Sequence, residues 1–160
     1  VTLGENGTKR EKRNETGTAR RQAKKREFKA RANEEGMIRN ILAIDDSASM
    51  REILRAAFGS AGYEVTVAND GADGLEHALA QRFDLVLTDL YMPRMGGLDL
   101  IKHLRANPSY LETPILVLTT ESDEGFKAAV RDAGATGWIE KPVDPELLVD
   151  LASALGETNT

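Results

Sequence analysis

The stretch Leu85-Val86-Leu87-Thr88-Asp89-Leu90-Tyr91-Met92-Pro93-Arg94-Met95-Gly96-Gly97 decides how the chain is read. It begins as a short apolar run, the mark of a buried strand. It ends in an acid, Asp89, followed by Pro93 and a Gly pair that force a loop. A carboxylate at the end of a buried strand is costly to place without a partner. The other strand ends show what that partner is.

Working outward, the same pattern recurs. Ile41-Leu42-Ala43-Ile44 is an apolar run ending in Asp45-Asp46. Met50, Ile53, Leu54, Ala57 and Phe58 then recur at helical spacing. Ser49 with Glu52 fits a capping box for that helix, and Gly59 with Gly62 ends it. Tyr63–Ala68 reads as a second strand. Asp70 caps a helix expected to turn Ala72, Leu75 and Leu79 inward, and Phe83–Thr88 is the third strand. Leu98, Ile101 and Leu104 mark a third helix, stopped at Asn107-Pro108. Ile115–Leu118 is a strand closed by Thr119-Thr120. Ser122 is the expected cap of a fourth helix, with Phe126, Ala129, Val130 and Ala133 inward and Gly134 as its stop. Thr136–Ile139 is the fifth strand, followed by Glu140-Lys141-Pro142. Asp144 caps the last helix, Pro145 opens it, and Leu147, Leu148, Leu151 and Leu155 line one face.

Five apolar strands alternating with five amphipathic helices define an α/β protein with a parallel sheet covered on both faces. Right-handed crossovers bring every strand end to one edge. That edge gathers Asp45, Asp46, Asp89, Thr119 and Lys141. Clustered carboxylates raise each other's pKa unless a cation sits among them. No His or Cys is near in sequence, so a hard cation with oxygen ligands fits, Mg²⁺ first. A lysine and a hydroxyl beside such a cluster suit a phosphoryl group.

Residues 1–36 differ from all this. They carry 11 Lys+Arg against 6 Asp+Glu, a net +5, whereas residues 37–160 carry a net −10. Only Val1, Leu3 and Phe28 are large and apolar there. Such a segment cannot offset the entropy of ordering, so the expectation is a disordered basic arm, helical in part over residues 19–32. Met37 stands directly before the first strand while residue 1 is Val, so the arm also reads as a leader or translated upstream sequence. The division is 1–36 arm and 37–160 domain. The chain has no cysteine, hence no disulfide framework. It also has no apolar run long enough for a membrane span, and the expected location is the cytoplasm.

Asp45-Asp46, Asp89 with Met92-Pro93 and Gly97, Thr119 and Lys141-Pro142 together resemble the receiver domain of two-component response regulators. The resemblance covers residues 38 to about 156. Any one of these motifs is weak; five in order at five strand ends are specific. It implies the flavodoxin-like strand order 2-1-3-4-5. It implies that Asp89 is the phosphoacceptor, taking a phosphoryl group from a sensor histidine kinase. Asp46, Asp89 and the backbone carbonyl of Tyr91 would bind Mg²⁺, with Asp45 acting mostly through water. Lys141 would contact the phosphoryl group across a cis Lys141-Pro142 bond. Thr119 and Trp138 would be the switch pair. Such a protein catalyses its own phosphotransfer and aspartyl-phosphate hydrolysis without being a conventional turnover enzyme.

This chain departs from the commoner pattern at four places. Thr120 follows the switch hydroxyl where a small residue is usual, Trp138 stands for a smaller ring, Val143 for a Phe, and Tyr91 occupies a hydrolysis-tuning position. The runs 113–122 and 134–139 are similar to a CheY subgroup of chemotaxis systems. With no domain after the last helix, the expectation is a single-domain regulator acting on a flagellar motor switch component. The alternatives are a phosphate sink, a regulator of another pathway, or an RNA-binding protein acting through basic residues 9–31. Other classes fail on motifs. The chain has no Gly-x-x-x-x-Gly-Lys-Ser/Thr and no Gly-x-Gly-x-x-Gly after its first strand. Tyr91 stands where a haloacid-dehalogenase-like phosphatase would want a second acid.

Overall fold

The computed structural model describes Gly17, Ala19, Arg20 and residues 37–158. The remaining expectations for the basic arm lie outside the described residues.

Within residues 37–158, five strands alternate with five α-helices: β1 Asn40–Ile44, α1 Ala48–Ser60, β2 Glu64–Ala68, α2 Gly71–Ala80, β3 Leu85–Asp89, α3 Gly97–Arg105, β4 Ile115–Thr119, α4 Glu124–Ala133, β5 Gly137–Glu140 and α5 Pro145–Thr158. A 3₁₀ turn, Pro108–Tyr110, follows α3. The strands form one sheet in the order β2-β1-β3-β4-β5, and every pair is parallel. The sequence-based architecture and strand order therefore hold.

The period-2 alternation of strand side chains builds two apolar layers. Leu42, Ile44, Val86, Ile115 and Val117 face one way, against Ala78 of α2, Leu100, Ile101 and Leu104 of α3, and Phe126 and Val130 of α4. Ile41, Ala43, Leu85, Leu87, Leu116 and Leu118 face the other way, against Leu54 and Phe58 of α1 and Leu148 and Ala152 of α5. Burial on both faces explains why β1, β3 and β4 read as unbroken apolar runs.

Several local expectations are corrected. Ser47, not Ser49, caps α1, its hydroxyl accepting from the Met50 amide. Asp123, not Ser122, caps α4 through the Phe126 amide. Gly59 lies inside α1, and the helix closes at Ala61. Ile53, Leu79 and Leu147, placed inward by spacing, are exposed large apolar residues, and Ala129 is exposed as well. On α2 the buried positions are Gly71, Gly74 and Ala78. There the helix lies so close to the sheet that small residues form the contact face. Asp70 and Asp144 cap as expected, accepting from the Asp73 and Glu146 amides. Gly134 ends α4 in the left-handed conformation. No helix among the described residues is long and apolar enough to cross a membrane.

Candidate functional site

The site is built by register. Ile44 pairs with Thr88, so Asp45 and Asp89 leave neighbouring strands at the same level. Asp89 pairs with Leu118, and Thr119 pairs with Glu140. The fold thus carries Asp45, Asp46, Asp89, Thr119 and Lys141 to one edge, although Asp45 and Lys141 are 96 residues apart in sequence.

Ligand oxygens of Asp45, Asp46 and Asp89 all lie within 4.8 Å of one another. Asp45 is buried, Asp46 exposed and Asp89 between the two. Lys141 Nζ donates to Asp45 Oδ2 at 3.0 Å and stands 3.5 Å from Asp89 Oδ2. The other Asp45 oxygen accepts the Ser47 amide at 2.9 Å. Asp89 Oδ1 accepts the Leu90 amide at 2.8 Å. Arg51 of α1 donates to the Asp45 backbone carbonyl at 2.8 Å and so holds the β1–α1 turn from behind.

Burial, then the charge of Asp45, raises the Asp89 carboxyl above the ordinary carboxylate range. Lys141 and the Leu90 amide pull it back without cancelling the rise. For Lys141, burial works against the ammonium, but the hydrogen bond and charge of Asp45, with Asp89 behind them, outweigh it and raise its pKa. Each group is held by the others.

Three carboxylates and one ammonium leave a formal charge of −2 at the cluster, the charge a divalent cation neutralises. The donors are oxygens, with no imidazole or thiolate in the group. That set suits a hard cation of the Mg²⁺ kind.

Thr119 is 2% exposed. Its hydroxyl accepts the Glu121 amide at 3.0 Å, and its carbonyl accepts the Lys141 amide at 2.8 Å. Trp138 packs half-buried against the α2–α4 layer, with Lys127 Nζ 5.7 Å from its ring centre, within cation–π range. The Lys141-Pro142 bond is cis, as anticipated. Tyr91, two residues after Asp89, is 65% exposed.

Spacing alone did not reveal the support of the loop that follows Asp89. Its ends are joined by the Gly97 amide donating to the Leu90 carbonyl at 2.8 Å. A Cβ on Gly97 would collide with the Asp89 carbonyl, so the closure demands glycine. Arg94 holds φ at 65°, and its guanidinium grips Asp70 from Nε at 2.8 Å and Nη2 at 3.1 Å. In sequence, Asp70 showed only as a helix cap.

This architecture is a flavodoxin-like α/β module with an acidic cluster and a lysine at the carboxyl edge of its sheet. Residues 41–153 match the response regulator receiver domain, and the chain belongs to that family. It is 62% identical to a response regulator protein from Burkholderia multivorans, over 74% of this chain and 95% of that one, with a TM-score of 0.66. It is 39% identical to the chemotaxis response regulator CheY4 of Vibrio cholerae, over 74% of this chain and 99% of that one, with a TM-score of 0.70. Among curated proteins it is 40% identical over 115 residues to the response regulator MprA of Mycobacterium leprae. That match covers 72% of this chain and 50% of the relative, so the chain spans about half the length of the curated relative it matches.

Proposed function

We propose that the chain is a phosphorylation-controlled switch in which Asp89 accepts a phosphoryl group from a phosphohistidine of a sensor kinase. The observation that carries this reading is the placement of Lys141 between Asp45 and Asp89, with Asp46 completing an all-oxygen cluster. An Asp89 carboxylate oxygen forms the new O–P bond while the N–P bond of the donor breaks. The imidazole leaves with the bonding pair and takes up a proton. Asp46, Asp89 and the Tyr91 carbonyl would hold Mg²⁺, which supplies charge neutralisation for the transferring group. Both Asp45 oxygens are already engaged, by Lys141 and the Ser47 amide, which favours a role for Asp45 through water. Lys141 meets the incoming negative charge, and the Leu90 amide orients the nucleophile. Thr119 would exchange its bond with the Glu121 amide for one with a phosphoryl oxygen, and Trp138 would be the second member of the switch.

Two readings of the output follow. Similarity to CheY4 over nearly all of that chain favours chemotaxis, with a flagellar switch component as the partner and the cytoplasm as the location. Similarity to MprA favours a regulator of another kind. Deleting the gene and scoring swimming bias separates them. A changed bias supports chemotaxis; normal motility with a defect elsewhere supports the second reading. We assign residues 1–36 to a separate arm and residues 37–160 to the receiver, and truncation at Met37 tests whether the arm is dispensable for phosphorylation.

A further inference from the structure

Arg94 is the only non-glycine residue with positive φ among the described residues. It lies five residues after Asp89, in the loop whose Tyr91 carbonyl completes the cation site under the reading above. A left-handed conformation in a non-glycine residue is strained and persists only where the surroundings determine it.

The Arg94 guanidinium forms a two-pronged pair with Asp70, 2.8 Å from Nε to Oδ2 and 3.1 Å from Nη2 to Oδ1. Asp70 is itself buried at 6% exposure and fixed as the cap of α2, accepting the Asp73 amide at 2.9 Å. One residue on, the Gly71 amide donates to the Met95 carbonyl at 3.0 Å. A Cβ on Gly71 would collide with that carbonyl, so the approach of α2 to the loop is as close as backbone allows. The far limb of the loop, Arg94 and Met95, is thus pinned to the start of α2. The near limb starts at Asp89 and closes through the Gly97–Leu90 hydrogen bond. Leu90, Tyr91 and Met92 are held from both ends.

We propose that Asp70 and Arg94 are positioning residues for the cation site, bracing the Leu90–Gly97 loop so that the Tyr91 carbonyl is set before Mg²⁺ arrives. The proposal rests on the reading of Asp45, Asp46, Asp89 and Tyr91 as that site. The brace touches neither cation nor phosphoryl group. It removes loop motion that binding would otherwise have to freeze, which is how outer contacts tune a metal. It also makes α2 part of the active-site frame, although α2 contributes no ligand.

Three variants test it. Asp70→Asn keeps the cap on α2 and loses the charged grip. Arg94→Gly loses the grip but tolerates positive φ, so its fold is not penalised by backbone strain. Asp46→Asn checks the underlying site. Mg²⁺ affinity is read by calorimetry, and amide hydrogen exchange at residues 90–92 is read in the metal-free protein. The expected result is Mg²⁺ affinity weakened about tenfold in Asp70→Asn and Arg94→Gly, with no further loss in the double variant. Residues 90–92 should exchange faster in both, while Asp46→Asn loses affinity with exchange unchanged. If Arg94→Gly binds Mg²⁺ within twofold of the parent and residues 90–92 keep their protection, the brace is overturned. If Asp46→Asn binds Mg²⁺ like the parent, the site reading falls, and the brace falls with it as a device for that site.

Discussion

Lys141 Nζ lies 3.0 Å from Asp45 Oδ2, and Asp45 is 1% exposed. The pair joins the first strand end to the last. Each residue needs the other: the ammonium offsets the cost of burying the Asp45 carboxylate, and Lys141 is drawn inward by it. Lys141→Met should therefore destabilise the metal-free protein by about 1–3 kcal/mol, below the range for a wholly buried pair because Lys141 stays partly exposed. Saturating Mg²⁺ should recover part of the loss by binding the folded state. Urea unfolding with and without Mg²⁺ measures both effects.

Asp89 gives a pH dependence of opposite sense to an ordinary paired carboxylate. Its pKa is raised in the folded state by burial and by Asp45. The unfolded chain therefore gives up this proton first, and stability falls as pH rises from the ordinary carboxylate value through the folded one. Asp89→Asn removes that loss. Without metal, the variant should be the more stable form at neutral pH, with the difference shrinking towards pH 4. Unfolding across pH 4–8 tests this, and a parent more stable than the variant at pH 7 would refute it.

Asp70 behaves the other way. Its hydrogen bonds from Arg94, then from the Asp73 amide, hold its carboxyl below the ordinary range. Its contribution to stability is present above the unfolded pKa and disappears as pH falls through the folded one. Asp70→Asn should be less stable than the parent at neutral pH, with the gap closing in acid below the ordinary carboxylate range. The same urea series reads it.

Tyr110 provides a control remote from the site. Its hydroxyl shares its proton between the Ala78 carbonyl at 2.7 Å and the Gln81 carbonyl at 2.9 Å, and accepts from the Phe83 amide at 3.3 Å. Tyr110→Phe removes these bonds and should cost about 1–3 kcal/mol. Phosphorylation of Asp89 at temperatures well below the melting point should be unchanged. A loss of labelling equal to that of Lys141→Met would mean that labelling reports stability rather than chemistry.

Strands were legible because burial on both faces makes β1, β3 and β4 continuous apolar runs, and the site was legible because Asp45, Asp89 and Thr119 end or directly follow them. Helix faces were less so. Spacing placed Ile53, Leu79 and Leu147 on apolar stripes, yet all three are exposed, because the sheet takes only the centre of each stripe. On α2 the contact residues are Gly71, Gly74 and Ala78, too small to stand out as an apolar period. Caps slipped where two candidates adjoined: Ser47 and Ser49 share a 3.0 Å hydroxyl contact, and only Ser47 reaches the Met50 amide. The Asp70–Arg94 grip was invisible, since its two partners stand 24 residues apart and no motif links them.

The most direct test is intact mass after incubation with acetyl phosphate, with and without Mg²⁺, on the parent and Asp89→Asn. The parent should gain one phosphoryl group, located on Asp89, abolished by chelation of Mg²⁺ and absent from Asp89→Asn. The same mass gain on Asp89→Asn, or labelling of the parent undiminished by chelation, would contradict it.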